Sequence, residues 1–338
     1  MIRIDVSKIK NWELIKKKHS EWYEEKILPS IKKAYNLLSK KNKNDSIKEY
    51  KELLKKIKNK GKNFVIEKEL FLGYNHDYLL DLIKKLNNTN ISENYLPHKL
   101  FSYDKFPNHT GKWNRHKLLS LMGIQVCPYC QRNYISSFEE NDDKRTTADL
   151  DHFYPKSLYP FLALSLYNFI PSCQICNSRF KGSKDTYNSV YPFEESFDDL
   201  GTKFKTSKEI IYEILGEKRS DFFVNINYKN LKDEDNEKIQ NSISNLGLDK
   251  VYKKSHNQYI KDLLESIEKY PKNYLESCVI IFKKFYKNKP KDKKEKIINY
   301  FKNSFDDIIK EPYRKRIENG EPLAKLTKDI LEEFNIKI

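Results

Sequence analysis

Ala148-Asp149-Leu150-Asp151-His152-Phe153-Tyr154-Pro155-Lys156-Ser157 is a short acid-rich segment closed by a proline. Alternation along a strand puts Asp149 and Asp151 on one face and His152 on the other. The segment lies between two Cys-x-x-Cys pairs, Cys127-Pro128-Tyr129-Cys130 and Cys173-Gln174-Ile175-Cys176, which are 42 residues apart. Two intervening residues let a tight turn present both thiolates to one tetrahedral ion, and two such turns close a four-sulfur shell. A shell with no open position is structural, and Zn²⁺ is its usual occupant. The competing readings are two disulfides or a redox pair. No apolar signal stretch follows Met1-Ile2-Arg3-Ile4-Asp5, which argues against the first, and a thioredoxin-like site needs only one pair.

Outward from this core, Asn168-Phe169-Ile170-Pro171 leads through Ser172 into the second pair, Asn177 follows Cys176 directly, and Lys181-Gly182 comes four residues later. An acid, an imidazole and two amides are therefore threaded around a metal-binding turn. Hydrolysis of a phosphodiester needs a base for water, a hard cation for the phosphate and leaving oxygen, and a scaffold that keeps them in register. His152 has the residue type for the base. Asp151 and the amide oxygen of Asn177 are hard donors suited to Mg²⁺.

The combination Cys127-x-x-Cys130, Asp151-His152, Pro155, Asn168, Pro171, Cys173-x-x-Cys176-Asn177 and Lys181 resembles the HNH endonucleases, the ββα-metal nucleases. It is most similar to the zinc-bearing subgroup of antiphage defence systems, the PtuB proteins of Septu and retron-associated systems. The resemblance covers roughly residues 112–200 and departs from the family name in carrying Asn177 at the third position. It implies a ββα nuclease core. Asp151 and Asn177 would be ligands of a catalytic Mg²⁺, for which Mn²⁺ can substitute, and His152 the general base. Asn168 would brace the catalytic loop by hydrogen bonds. It implies cleavage of DNA to 5′-phosphate and 3′-hydroxyl ends, an antiviral role and an ATPase partner. Cleavage of RNA or tRNA by the same residues is the first alternative, and a non-catalytic zinc module binding nucleic acid or a protein is the second.

The remainder of the 338 residues frames this module. A net charge of +16 divides into +10 over residues 1–110, −1 over 111–200 and +7 over 201–338, so two basic flanks bracket a neutral middle. Polyanion binding is one reading of that charge. With only 8 Arg against 56 Lys, the residue bias of an AT-rich genome is the other. Lys156, Arg179, Lys181 and Lys184 are the expected phosphate contacts, because a nuclease with a neutral catalytic region needs cations near its cleft. Asp149 is expected either at the cation site or merely solvated. His19, His76, His98, His109, His116 and His256, lacking a metal frame, are expected as capping or surface residues.

Apolar periodicity predicts helices around Trp12–Ile31, Ile47–Ile57, Asp77–Leu86, Ile239–Leu246 ended by Gly247, Tyr259–Ile267, Tyr274–Tyr286, Lys294–Ile309 and Pro322–Phe334. The expected architecture is mainly α with a small α+β module: a helical region 1–110, a nuclease module 111–200 and a helical region 201–338. Cys278 falls in one of the predicted helices and is expected to be a buried small hydrophobe. Its run to Phe282 is the longest unbroken apolar stretch, too short for a bilayer, so a soluble cytoplasmic protein without a membrane partner is expected.

Overall fold

The computed structural model describes residues 1–38, 44–140, 143–207, 209–210, 222–228, 232–268 and 310–336. The helices predicted over Tyr274–Tyr286 and Lys294–Ile309, and Cys278 with them, lie outside the described residues. What is described is mainly helical, with three separate two-stranded antiparallel sheets. It forms two compact units, one of Met1–Phe197 with Lys232–Leu246 and one of Asp198–Leu231 with Gly247–Ile338.

The first unit opens with α1 (Trp12–Lys26), α2 (Leu28–Leu38), α3 (Asp45–Lys60), α4 (Lys68–Leu72), α5 (His76–Asn87), α6 (Pro97–Leu100) and α7 (Arg115–Met122). The stripe Ile47, Tyr50, Leu53, Leu54 and Ile57 is buried along α3, whose start is capped by the Asn44 side chain accepting from the Ser46 and Ile47 amides. Asn114 caps α7 in the same way, through the Lys117 amide, and Gly123 in the left-handed region ends it. Two hairpins follow: β1 (Ser137–Glu140) with β2 (Asp143–Thr146), then β3 (Ala148–His152) with β4 (Phe169–Cys173). A π-helix (Ile175–Lys181) grows out of the end of β4, and α8 (Asp233–Leu246) completes the unit.

No boundary falls at 110/111. The middle region shares its core with the N-terminal helices, since the rings of Trp12 and Tyr167, Tyr50 and Phe161, and Phe71 and Tyr154 meet at centroid distances of 5.7, 6.0 and 5.1 Å. The backbone amides of Ile2 and Ile4 also donate to Pro128 and Pro192. The aromatics Phe153, Tyr154, Tyr159, Phe161, Tyr167 and Phe169 are all buried.

The second unit is not purely helical. It contains a hairpin of β5 (Lys203–Thr206) with β6 (Val224–Asn227), followed by α9 (Leu248–Ser255), α10 (Asn257–Glu268), a helical stretch over 310–318 and α11 (Ala324–Glu333). Lys325 and Asp329 of α11 are buried as an ion pair at 2.9 Å, and Asp329 Oδ2 accepts from the Phe204 amide of β5. No helix among the described residues is long and apolar enough to cross a membrane.

Candidate metal centre and active site

The two Cys-x-x-Cys turns converge. Cys127, Cys130, Cys173 and Cys176 are all buried and unbridged, with their sulfurs within 4.8 Å of one another. The first turn sits in a loop closed by the Val126–Tyr134 bridge. There the Gln131 amide donates to Cys127 O, and Gln131 takes a φ of 56° to bring the chain around. The second turn is the junction of β4 with the π-helix. Donors already surround the sulfurs: the Cys173 amide on Cys127 Sγ (3.3 Å), the Asn133 side chain on Cys173 Sγ (3.2 Å) and the Arg132 amide on Cys130 Sγ (3.5 Å). N–H donors aimed at sulfur stabilise thiolate, the form that ligates metal. Hydrogen bonds from the other three thiols, Cys127 foremost, hold the Cys173 thiol far below its ordinary range. Four buried sulfurs in this arrangement can hold a metal such as zinc.

The catalytic candidates stand on the elements this cluster pins. In the β3–β4 pair Asp151 faces Ile170 and His152 faces Phe169, while Ala148 pairs with Cys173 at the sulfur end. His152 is 7% exposed and its Nε2 lies 2.9 Å from Ala163 O. A carbonyl only accepts, so Nε2 carries the hydrogen and Nδ1 keeps its lone pair. Burial foremost, with Lys156, Lys181 and Arg115 adding to it, pushes the His152 pKa down to about 3. The ring is therefore neutral at physiological pH. The Tyr103 ring stands edge-on to it at 4.4 Å and carries the Arg115 guanidinium 3.6 Å from its centroid.

On the other face of β3, Asp151 is 3% exposed. Its Oδ2 accepts from the Tyr129 hydroxyl at 2.6 Å, and its Oδ1 from Lys181 Nζ at 3.2 Å. Burial raises the Asp151 carboxyl above its ordinary value, against the opposing pull of Lys181 and Tyr129. Asn177, on the π-helix, donates its amide nitrogen to Asp149 Oδ2 at 2.9 Å. That bond turns the amide oxygen of Asn177 away from Asp149. The His152 backbone amide adds a third hydrogen bond to the Asp151 carboxylate. Asp149, Asp151 and the Asn177 amide are oxygen donors of the type a hard divalent cation takes; Asn177 is bonded to Asp149, while Asp151 is bonded to Tyr129 and Lys181.

Asn168 is fully buried and makes three bonds. Its Oδ1 accepts from the Tyr154 amide (2.7 Å), and its Nδ2 donates to Tyr154 O and Leu162 O (both 3.1 Å). It ties the loop after β3 to the loop before β4.

The expected phosphate contacts separate. Arg179, Lys156 and Lys184 are exposed, with Lys156 5.1 Å from the Tyr103 ring centroid and Lys184 bonded to Asn245 O. Lys181 requires correction. It is 2% exposed, and its ammonium is enclosed by Asp151 and by His152 O at 2.6 Å, so it does not line a surface that a strand can reach. The π-helix, with its i→i+5 bonds, ends at Lys181 with that side chain turned onto β3. Three of the set-aside histidines are also buried, namely His19, His76 and His116. Tyr129, Tyr103 and Arg115 carry no signal in the sequence that ties them to the site, because each reaches it across the fold. Compared with family models, curated proteins and solved structures, the chain finds no match.

Proposed function

We propose that the chain is a divalent-cation-dependent endonuclease of the HNH type that hydrolyses phosphodiester bonds in DNA, with His152 as general base. The observation that carries this reading is the state of His152. Its ring is fixed on a strand beside the four-cysteine cluster, Nε2–H is committed to Ala163 O, and Nδ1 is left as a lone pair.

In this reading Nδ1 accepts a proton from the attacking water while Ala163 O stabilises the imidazolium that forms. The low basicity of the buried ring is corrected when an anionic phosphate enters, since a nearby negative charge favours the protonated form. Asp151 and Asn177, with Asp149 beside them, would hold a hard cation, which would supply neutralisation of charge on the phosphate and the leaving oxygen. Asn168 keeps the two loops around His152 in register. Arg115 and exposed Lys156, both close to the Tyr103 ring, add positive potential on the His152 side. By resemblance, the protein acts in antiphage defence beside an ATPase partner, with the helical flank as docking surface or shield.

The test is cleavage of plasmid and of total tRNA by the purified protein, with and without Mg²⁺, beside His152→Ala. Loss of the base is expected to lower the cleavage rate by about a hundredfold or more with zinc content unchanged. Equal rates for both proteins would leave a non-catalytic module, and cleavage of tRNA alone would change the substrate.

A further inference from the structure

Asp151 is held from two directions, and both lead back to the cysteines. Tyr129 is the third residue of the first Cys-x-x-Cys turn, is 1% exposed, and its hydroxyl donates to Asp151 Oδ2 at 2.6 Å. Lys181 closes the π-helix that starts at Ile175, inside the second turn, and its ammonium sits 3.2 Å from Asp151 Oδ1. The carboxylate is thus clamped between the two halves of the four-sulfur cluster. Either turn opening would remove one donor and free the carboxylate to rotate.

We propose that Tyr129 is a positioning residue for Asp151, so that closure of the cysteine site is transmitted through one hydroxyl to the cation-binding acid on β3. This rests on the nuclease reading of Asp151. A phenol is suited to the task because its ring is locked by burial and its one donor points along a fixed direction. Partners that hold a ligating carboxylate typically matter for cation affinity by ten- to a hundredfold. Phenylalanine keeps the ring and removes only the hydroxyl, so it separates transmission from packing.

The experiment uses the full chain, zinc-loaded, as wild type and Tyr129→Phe. Zinc per chain is measured first, then Mn²⁺ affinity by electron paramagnetic resonance without nucleic acid, then plasmid cleavage across a Mn²⁺ series. The expected result is unchanged zinc, a Mn²⁺ dissociation constant raised about tenfold or more, and a cleavage rate that saturating Mn²⁺ largely restores. A dissociation constant within twofold of wild type overturns the proposal. So does loss of zinc from Tyr129→Phe, which would assign the residue to the cysteine site alone. Absence of both Mn²⁺ binding and cleavage in the wild type removes the nuclease reading and this inference with it. That failure is read in the wild type, whereas failure of the proposal alone is read in the ratio of the two proteins.

Discussion

Lys181 places an ammonium between Asp151 Oδ1 and His152 O with almost no solvent. Removing two charges from water costs several kcal/mol per ion, and mutual attraction offsets this only with good geometry and further hydrogen bonds. Both conditions are met, since Tyr129 serves the other carboxylate oxygen and the His152 carbonyl serves the ammonium. Lys181→Met therefore leaves a carboxylate buried without its counter-charge, and the expected loss of unfolding free energy at pH 7 is about 3–5 kcal/mol. Burial already raises the Asp151 carboxyl, and without Lys181 it rises further. A carboxyl raised in the folded state destabilises once pH exceeds its unfolded value, so the deficit should shrink as pH falls from 7 to 5. Urea unfolding of zinc-saturated protein at the two pH values checks both statements. An equal deficit at each would argue that lost packing, rather than unpaired charge, is the cause.

Helix α1 is fastened to the loop before β4 through His19, a residue expected from its sequence context in a capping or surface position. His19 is fully buried, with Nε2 2.8 Å from Leu164 O and Nδ1 accepting from Trp113 Nε1 at 3.2 Å. Because the indole can only donate, Nδ1 is the lone pair and Nε2 the donor, which fixes a neutral ring. Burial pushes its pKa down to about 4 from 6.5. The unfolded chain therefore binds the extra proton first. This contribution to stability is complete above pH 6.5 and is lost as pH falls toward 4, amounting to about 3 kcal/mol over that window. In His19→Gln the wild-type pH dependence of thermal unfolding should be reduced by that amount at saturating zinc, and a superimposable profile would contradict the assignment. His19 also shows what limits a reading from sequence. The cysteine turns, the β3 acid–imidazole pair and the helix stripes were legible because each is written in local spacing. The partners of His19 lie 94 and 145 residues away, and nothing periodic announces them. The β5–β6 hairpin escaped for the same reason. Its strands are four residues each, rich in Lys and Asn, and the Phe204 amide is satisfied by Asp329, 125 residues on. Lys181 was misplaced because spacing alone does not reveal a π-helix.

At the scale of the molecule, the four-cysteine region is not a self-sufficient bead on a helical string. The charge profile divides the chain at 110, yet the first compact unit runs from Met1 to Phe197 without a break. Trp12, Tyr50 and Phe71 from α1, α3 and α4 supply one side of the rings that cover the loops around His152, and the Met1 carbonyl accepts from the Phe197 amide at the far end. A piece spanning 111–200 would expose Tyr154, Phe161, Leu164 and Tyr167, all now buried, and would lose both the His19 bond to Leu164 and the amide donors from Ile2 and Ile4. A core of that size, with one face stripped, rarely stays folded without a staple, and a metal cluster secures only the turns next to it. The expectation is that the 111–200 fragment takes up one zinc per chain, because the four sulfurs come from two local turns. Its amide spectrum should still show collapsed dispersion for residues 159–170, with hydrogen exchange there at least on the order of a hundredfold faster than in the intact chain. Well-dispersed signals and slow exchange in the fragment would instead mean that the N-terminal helices are an accessory layer. The fragment should then cut plasmid as fast as the whole protein.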